Sequence, residues 1–198
     1  MGRRKIPLIG GLLAVAVLVV LCTCAPSKAA EFSASMTIDS AQGGKMTGKV
    51  YVKGNWLRQD LDTPMGVQSV IVNPEDNLMY VLMPGQPIYM EMENQQVTLN
   101  EEESIESKLS DVADVKKTGK EKIQGYTCIK YLVTYHDSNL GKSTIWVSEK
   151  LNYPIKVYTE SPQDTATIIY SDIVEGNVDP ALFEIPEGYK KMDTKVLY

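Results

Sequence analysis

The stretch from Leu78 to Met92, LMYVLMPGQPIYMEM, limits what this chain can fold into more than any other. It reads as two strands around a Pro-Gly turn. In the first strand Leu78, Tyr80 and Leu82 point one way, and Met79, Val81 and Met83 the other, because side chains alternate across a strand. Both faces are apolar. One packs on a core, and the other needs a helix, a second sheet, a partner or a lipid to cover it.

The remaining sequence supplies a sheet for this hairpin. Phe32, Ala34, Met36 and Ile38 alternate with Ser33, Ser35 and Thr37, the pattern of a half-buried strand. Ala41 to Gly44 is a hairpin turn, since paired glycines accept positive φ. Val50 and Val52 then point inward, with Lys49 and Lys53 outward. Gly54-Asn55 leads into a strand that carries Trp56 and Arg58 on one face. Val67 to Val72 is another strand, followed by the turn Asn73 to Asn77. Further strands fall at Tyr126 to Tyr135, Ser143 to Val147, Pro154 to Thr159 and Thr165 to Val174. About ten strands at near-regular spacing predict a mostly β domain: a large antiparallel sheet, a sandwich or a barrel.

One segment departs from the pattern. Asn100 to Val112 reads as a helix capped by Asn100, with Glu101, Glu102 and Glu103 in a first turn that favours negative charge. Ile105, Leu109 and Val112 form one apolar stripe at i, i+4 and i+7. So short a helix must lay its stripe on something, and the face bearing Met79 and Met83 is the natural place. The expected fold is a single antiparallel sheet curved into a half-open barrel with a short helical lid. Near the end, Asp179 is expected to cap one helical turn with Pro180 at its first position.

The first residues have the anatomy of a secretory signal peptide. Arg3, Arg4 and Lys5 precede an uncharged apolar run, and Ser27-Lys28-Ala29 places small residues at a cleavage site. Residues 1–29 are expected to be removed, leaving 30–198 as one β domain in the periplasm or otherwise exported. Two other fates fit the same residues. The run is long enough to stay as an anchor in a bilayer core of about 30 Å, and lipidation at Cys24 is the other alternative, although Thr23 is not the small residue that normally precedes such a cysteine. Cleavage would remove four basic residues, leaving 16 basic against 25 acidic, a formal charge of −9. That balance excludes nucleic-acid binding by bulk electrostatics. It also leaves Cys128 as the single thiol, which is expected to be packed in the core.

Catalytic patterns are absent from the sequence. His136 is the one histidine and precedes Asp137 at a turn, but no motif places a nucleophile beside it. One histidine and one thiol do not make a His/Cys zinc site. No enzyme activity, cofactor or metal is expected.

The order of KVYVKGNWLRQDL, VQSVIVNPEDNLMYVLMPGQPIYMEM, a helix, GYTCIKYLV, STIWVSEKLNYPIKVY and DPALFEIPEGY resembles the lipoprotein-carrier superfamily of the bacterial envelope, the LolA and LolB type. It is most similar to an uncharacterised branch of exported bacterial proteins with that fold. The resemblance spans about Phe32 to Tyr189. It implies an incomplete barrel closed by helices, with acyl chains held in an apolar cavity. It also implies that Arg58, on an early strand, helps to hold the lid shut.

Five methionines between residues 65 and 92 support an adaptable apolar surface. The expected ligand-binding residues are Trp56, Arg58, Met79, Val81, Met83, Met90, Ile105 and Leu109. The expected partner is a lipid or lipoprotein acyl chain, bound by a monomeric carrier or sensor. The alternative is an envelope protein-protein interaction module, a stress sensor or assembly factor, whose barrel is filled and holds no ligand.

Overall fold

Alternation becomes strand after strand in the structure. The computed structural model describes residues 30–94 and 105–192. The first meander is β1 (Glu31–Ser40), β2 (Gly44–Lys53), β3 (Trp56–Thr63), β4 (Gly66–Asn73), β5 (Leu78–Leu82) and β6 (Ile88–Glu93). A short helix, α1 (Ile105–Leu109), precedes the second meander: β7 (Ala113–Ile123), β8 (Tyr126–Tyr135), β9 (Lys142–Ser148), β10 (Pro154–Glu160) and β11 (Thr165–Glu175). A 3-10 turn at Pro180–Phe183 and the two-residue strand β12 (Lys190–Lys191) follow.

All twelve strands belong to one sheet, in the order β12-β6-β5-β4-β3-β2-β1-β11-β10-β9-β8-β7. The pairing of β11 with β1 joins the two meanders. Neighbours are antiparallel except β12, which runs parallel to β6. The outer strands β12 and β7 do not pair with each other, so the sheet stays open. Phe32, Ala34, Met36 and Ile38 of β1 are all buried. They share one packed cluster with Leu57 and Val72 from one side of the sheet and Val133, Ile145 and Tyr135 from the other. Residues so far apart in strand order meet only because the sheet curls around this face. The result is a half-barrel whose inner face is apolar.

The segment after β11 covers the outer face of β2 to β6. Val178, Leu182, Phe183 and Tyr189 pack on Tyr51, Trp56, Ile71, Tyr80, Leu82 and Tyr89. This strap is pinned along its length. The Val178 N–H donates to Glu31 Oε1 at 3.0 Å, and Lys53 Nζ donates to the Val178 carbonyl at 2.9 Å. The expected helical turn is present, with Asp179 Oδ1 accepting from the Ala181 N–H and Pro180 at its start. Lys190 and Met192 then donate to Pro87 and Tyr89 as the chain joins the sheet edge. The two apolar faces of β5 thus have different covers: strap over Tyr80 and Leu82, barrel interior beside Met79 and Val81.

Two expectations about the helix change, and part of it is not described. The helix is described only from Ile105 to Leu109, and Asn100, Glu101, Glu102 and Glu103 lie outside the described residues. Val112 falls beyond the helix and is 49% exposed, so the buried stripe consists of Ile105 and Leu109. α1 packs against β7 rather than resting chiefly on β5. The β7 strand itself was not expected. Its sequence, ADVKKTGKEKI, is polar at nearly every position because it forms an exposed edge, and lysines on an edge strand discourage pairing with other chains. The β12 strand is too short to carry any alternation. Residues 1–29 are outside the described part, and among the described residues no helix is long and apolar enough to cross a membrane.

Candidate functional site

The inner face offers a continuous cross-strand row. Register places Ala34 opposite Val50, Val50 opposite Gln59, Gln59 opposite Val70, Val70 opposite Val81, and Val81 opposite Met90. One step along, Leu57, Val72, Met79 and Met92 form a parallel row. Side chains facing each other across such pairs make one surface. Its cover is uneven. Val72 and Val81 are buried, but Val70, Met79, Met90 and Met92 remain half-exposed. Met83, next in alternation after Val81, is also half-exposed.

Deeper inside, the barrel is filled by its own aromatic rings. Tyr153 meets Phe32 edge-on at 5.1 Å between centroids and Tyr170 at 5.6 Å. Such T-shaped contacts bring a positive ring edge to a negative face. All three are buried. Burial holds the Tyr170 hydroxyl well above its ordinary pKa, with the Tyr153 hydroxyl and the Gln59 amide as neighbours. Gln59 is 6% exposed, its amide packed beside the Tyr170 hydroxyl.

The eight expected site residues fall on two surfaces. Met79, Val81 and Met90 share the inner face through strand pairing. Met79 packs on the cluster that contains Ile105 and Leu109, so the helix and this part of the lining belong to one core. Met83 continues the same side of β5 by alternation. Trp56 and Arg58 point the other way, because they alternate with the inward Leu57 and Gln59. There Trp56 packs on Phe183 at 5.9 Å between ring centroids. Arg58 donates Nε–H to Asp60 Oδ1 at 2.7 Å and Nη1–H to the Leu182 carbonyl at 2.9 Å. On this face Arg58 holds the strap, not α1.

Sequence reasoning missed Gln59, Tyr153 and Tyr170. A signal for Gln59 existed: it is the polar residue at an inward position of NWLRQDL. Tyr153 lies between β9 and β10, where alternation gives no direction, and its place inside the barrel follows only from packing.

His136 is exposed, with Nε2 3.7 Å from Asp114 Oδ1 and Nδ1 3.3 Å from the Asp111 carbonyl oxygen. Cys128 is fully buried, and desolvation pushes its thiol up to about 11. Among the described residues no group of three His, Cys, Asp or Glu side chains is arranged to hold a metal. The buried polar side chains there are Ser, Thr, Asn and Gln, none of them charged. Such an interior suits apolar and neutral polar matter, since an unpaired charge inside it would be strongly disfavoured.

The profile of a family described as Domain of unknown function (DUF4412) matches residues 32–153. No curated protein matches the chain significantly in sequence. Solved structures do. The Pseudomonas aeruginosa MucA/MucB complex matches at 13% identity and a TM-score of 0.51, covering 75% of this chain and 53% of that one. An uncharacterized conserved protein from Thermus thermophilus matches at 8% identity and a TM-score of 0.57, covering 91% and 98%. A LolA superfamily protein from Nitrosomonas europaea matches at 14% identity and a TM-score of 0.40, covering 86% and 97%. The chain spans only 53% to 64% of the MucB chains it matches. The matches with TM-scores above 0.5 concern the fold alone, a large antiparallel sheet curled into an open half-barrel.

Proposed function

We propose, for a chain that belongs to the family described as Domain of unknown function (DUF4412), that it is an exported carrier or sensor that binds acyl chains along its inner face. The observation that supports this reading most is the half-exposed lining formed by Val70, Met79, Met90 and Met92 beside a buried core. These side chains have no charge to desolvate, and methionine adapts its shape to varied apolar ligands. Each buried ligand CH₂ contributes about 0.8 kcal/mol, so a short groove suffices for a single acyl chain. Export follows from the basic and apolar character of residues 3–21 and the small residues before Ala30.

The test is purification of the full chain from a membrane-free fraction without detergent, followed by lipid extraction and mass spectrometry. Co-purifying acyl lipids, lost in Met90→Lys, are the expected result. Because Met90 is half-exposed, the lysine should shift Tm little. A lipid-free protein that also ignores added acyl lipids would overturn the reading.

A second reading has its own support. The Phe32, Tyr153 and Tyr170 rings fill the deep part of the barrel with protein, as expected of an envelope interaction module. The structural relative MucB was solved in complex with MucA. Under this reading the chain binds another envelope protein and carries no lipid, which the same extraction distinguishes.

A further inference from the structure

The charges of this chain are segregated. Residues 113–158 carry eight lysines and four acidic side chains, whereas the other residues from 30 onward carry eight basic and 21 acidic ones. Four of those lysines, Lys116, Lys117, Lys120 and Lys122, stand on β7, a free edge of the sheet, and all four are exposed. Lys116 pairs with Leu132 and Lys117 with Tyr131, so the edge shows lysines on both of its faces. Lys120 meets Glu149 at 2.6 Å, but Lys116, Lys117 and Lys122 make no ion pair with a described residue. Behind the edge, Lys130 and Lys156 hold their ammonium groups 5.1 and 4.7 Å from the centre of the Trp146 ring, also without a carboxylate partner among the described residues. Like charges gathered in this way repel one another.

We propose that the β7 edge is a docking surface for a bilayer of anionic phospholipid, whose headgroup phosphates supply the missing negative charge. From Lys116 to Lys122 the row spans about 20 Å at ordinary strand rise, and it contains no pocket shaped for a single ion. Residues 113–158 contain no arginine. Lysine is a point charge without the guanidinium fork, so the row suits a broad anionic surface. Lysines on an edge also keep other strands from pairing with it, which disfavours an acidic peptide added to β7.

The negative charge of the rest of the chain does not cancel this attraction. Glu106, Asp111 and Asp114 oppose it near the start of β7, and Glu121 lies within the row, where it accepts from Trp146 Nε1 at 2.7 Å. Carboxylates farther away are screened, because the Debye length is about 8 Å at physiological salt. The edge borders the open side of the half-barrel, and Val115 of β7 packs on the same core cluster as Met79 of β5. Docking along β7 therefore sets the open side of the sheet near the bilayer. The proposal does not depend on the acyl-binding reading, since a lipid-free chain can dock in the same way.

Co-sedimentation of the full chain, purified from the exported fraction, tests it with two kinds of vesicle: phosphatidylcholine alone, and equal parts of phosphatidylcholine and phosphatidylglycerol. The native chain should sediment with the mixed vesicles in low salt, be released by high salt, and ignore the neutral ones. Each lysine near an anionic leaflet contributes about a fivefold gain in affinity. Lys116→Gln, Lys117→Gln and Lys122→Gln combined should weaken binding roughly a hundredfold, with Tm little changed because these side chains are exposed. The same three positions changed to arginine should retain binding. Lys45→Gln, Lys49→Gln and Lys190→Gln combined remove as much charge elsewhere on the surface and should also leave binding intact. Equal binding to both kinds of vesicle, or an equal loss in the two glutamine variants, would overturn the proposal. Absence of binding to the mixed vesicles would leave the lysines as edge protection only. Soluble polyglutamate that binds the native chain as tightly as the mixed vesicles do would assign the row to an acidic partner, and either result overturns docking on a bilayer.

Discussion

The Arg58 guanidinium, on the outer face of β3, donates Nη1–H to the Leu182 carbonyl oxygen at 2.9 Å and so ties the strap to the barrel wall. Its Nε–H is held at the same time by Asp60. The fork geometry of an arginine allows both contacts from one side chain. Arg58→Ala leaves Asp60 and the Leu182 carbonyl without this donor. The pair is partly exposed, so the loss should be about 2 kcal/mol rather than the larger cost of a fully buried pair. Urea unfolding measures the loss, and hydrogen exchange should quicken at Val178 to Glu184 before it does in β1.

Phe183 is the strap's main anchor, buried against Trp56. Phe183→Ala should cost about 3 kcal/mol through lost burial and a residual cavity. Trp56 would then meet water, so native emission should shift to the red. The shift should vanish in a Trp56→Phe background, which leaves only Trp146 to report.

Acid should weaken the fold through named carboxylates. The Lys53 ammonium and the Val178 N–H hold the Glu31 carboxyl below its ordinary value of 4.5, and Lys150 and the Tyr126 hydroxyl do the same for Glu175. The Ser40 hydroxyl lowers Asp164 from 3.8. A carboxyl whose folded pKa is depressed stabilises fully above its unfolded pKa, and that contribution disappears as pH falls through the folded value. Tm should therefore be flat near neutrality and fall below about pH 4.5. Glu31→Gln should lower Tm at pH 7 and converge with the native chain in acid.

Cys128 should be inert in the folded chain. Burial pushes its thiol up to about 11, and its Sγ faces the Tyr126 carbonyl at 3.6 Å. The reactive species is the thiolate, so a disulfide reagent at pH 8 should react slowly with native protein and at once in denaturant. Fast native labelling would show that β8 opens readily.

The half-barrel was largely legible because its strands announce themselves. Phe32 to Ile38 and Val50 to Val52 alternate cleanly, and the turns between them contain Gly, Asn, Asp or Pro. The Asp179-Pro180 cap was legible for the same local reason, since both residues act within one turn. The β7 edge was not, because an exposed strand need not alternate. The site was legible in part. Met79 and Val81 share a face by the alternation of β5, whereas Met90 joins them through the register of β6 on β5.

Sequence alone settled which residues share a side of each strand, because side chains on a pleated backbone repeat every second position. It did not settle which side turns inward on a strand with apolar residues on both. That was decided when the curled sheet gathered Phe32, Tyr153 and Tyr170 inside and the strap carried Leu182 and Phe183 over Trp56 and Arg58. Phe32 with Tyr153, Trp56 with Phe183 and Arg58 with Leu182 join residues more than a hundred positions apart, and no local periodicity encodes them.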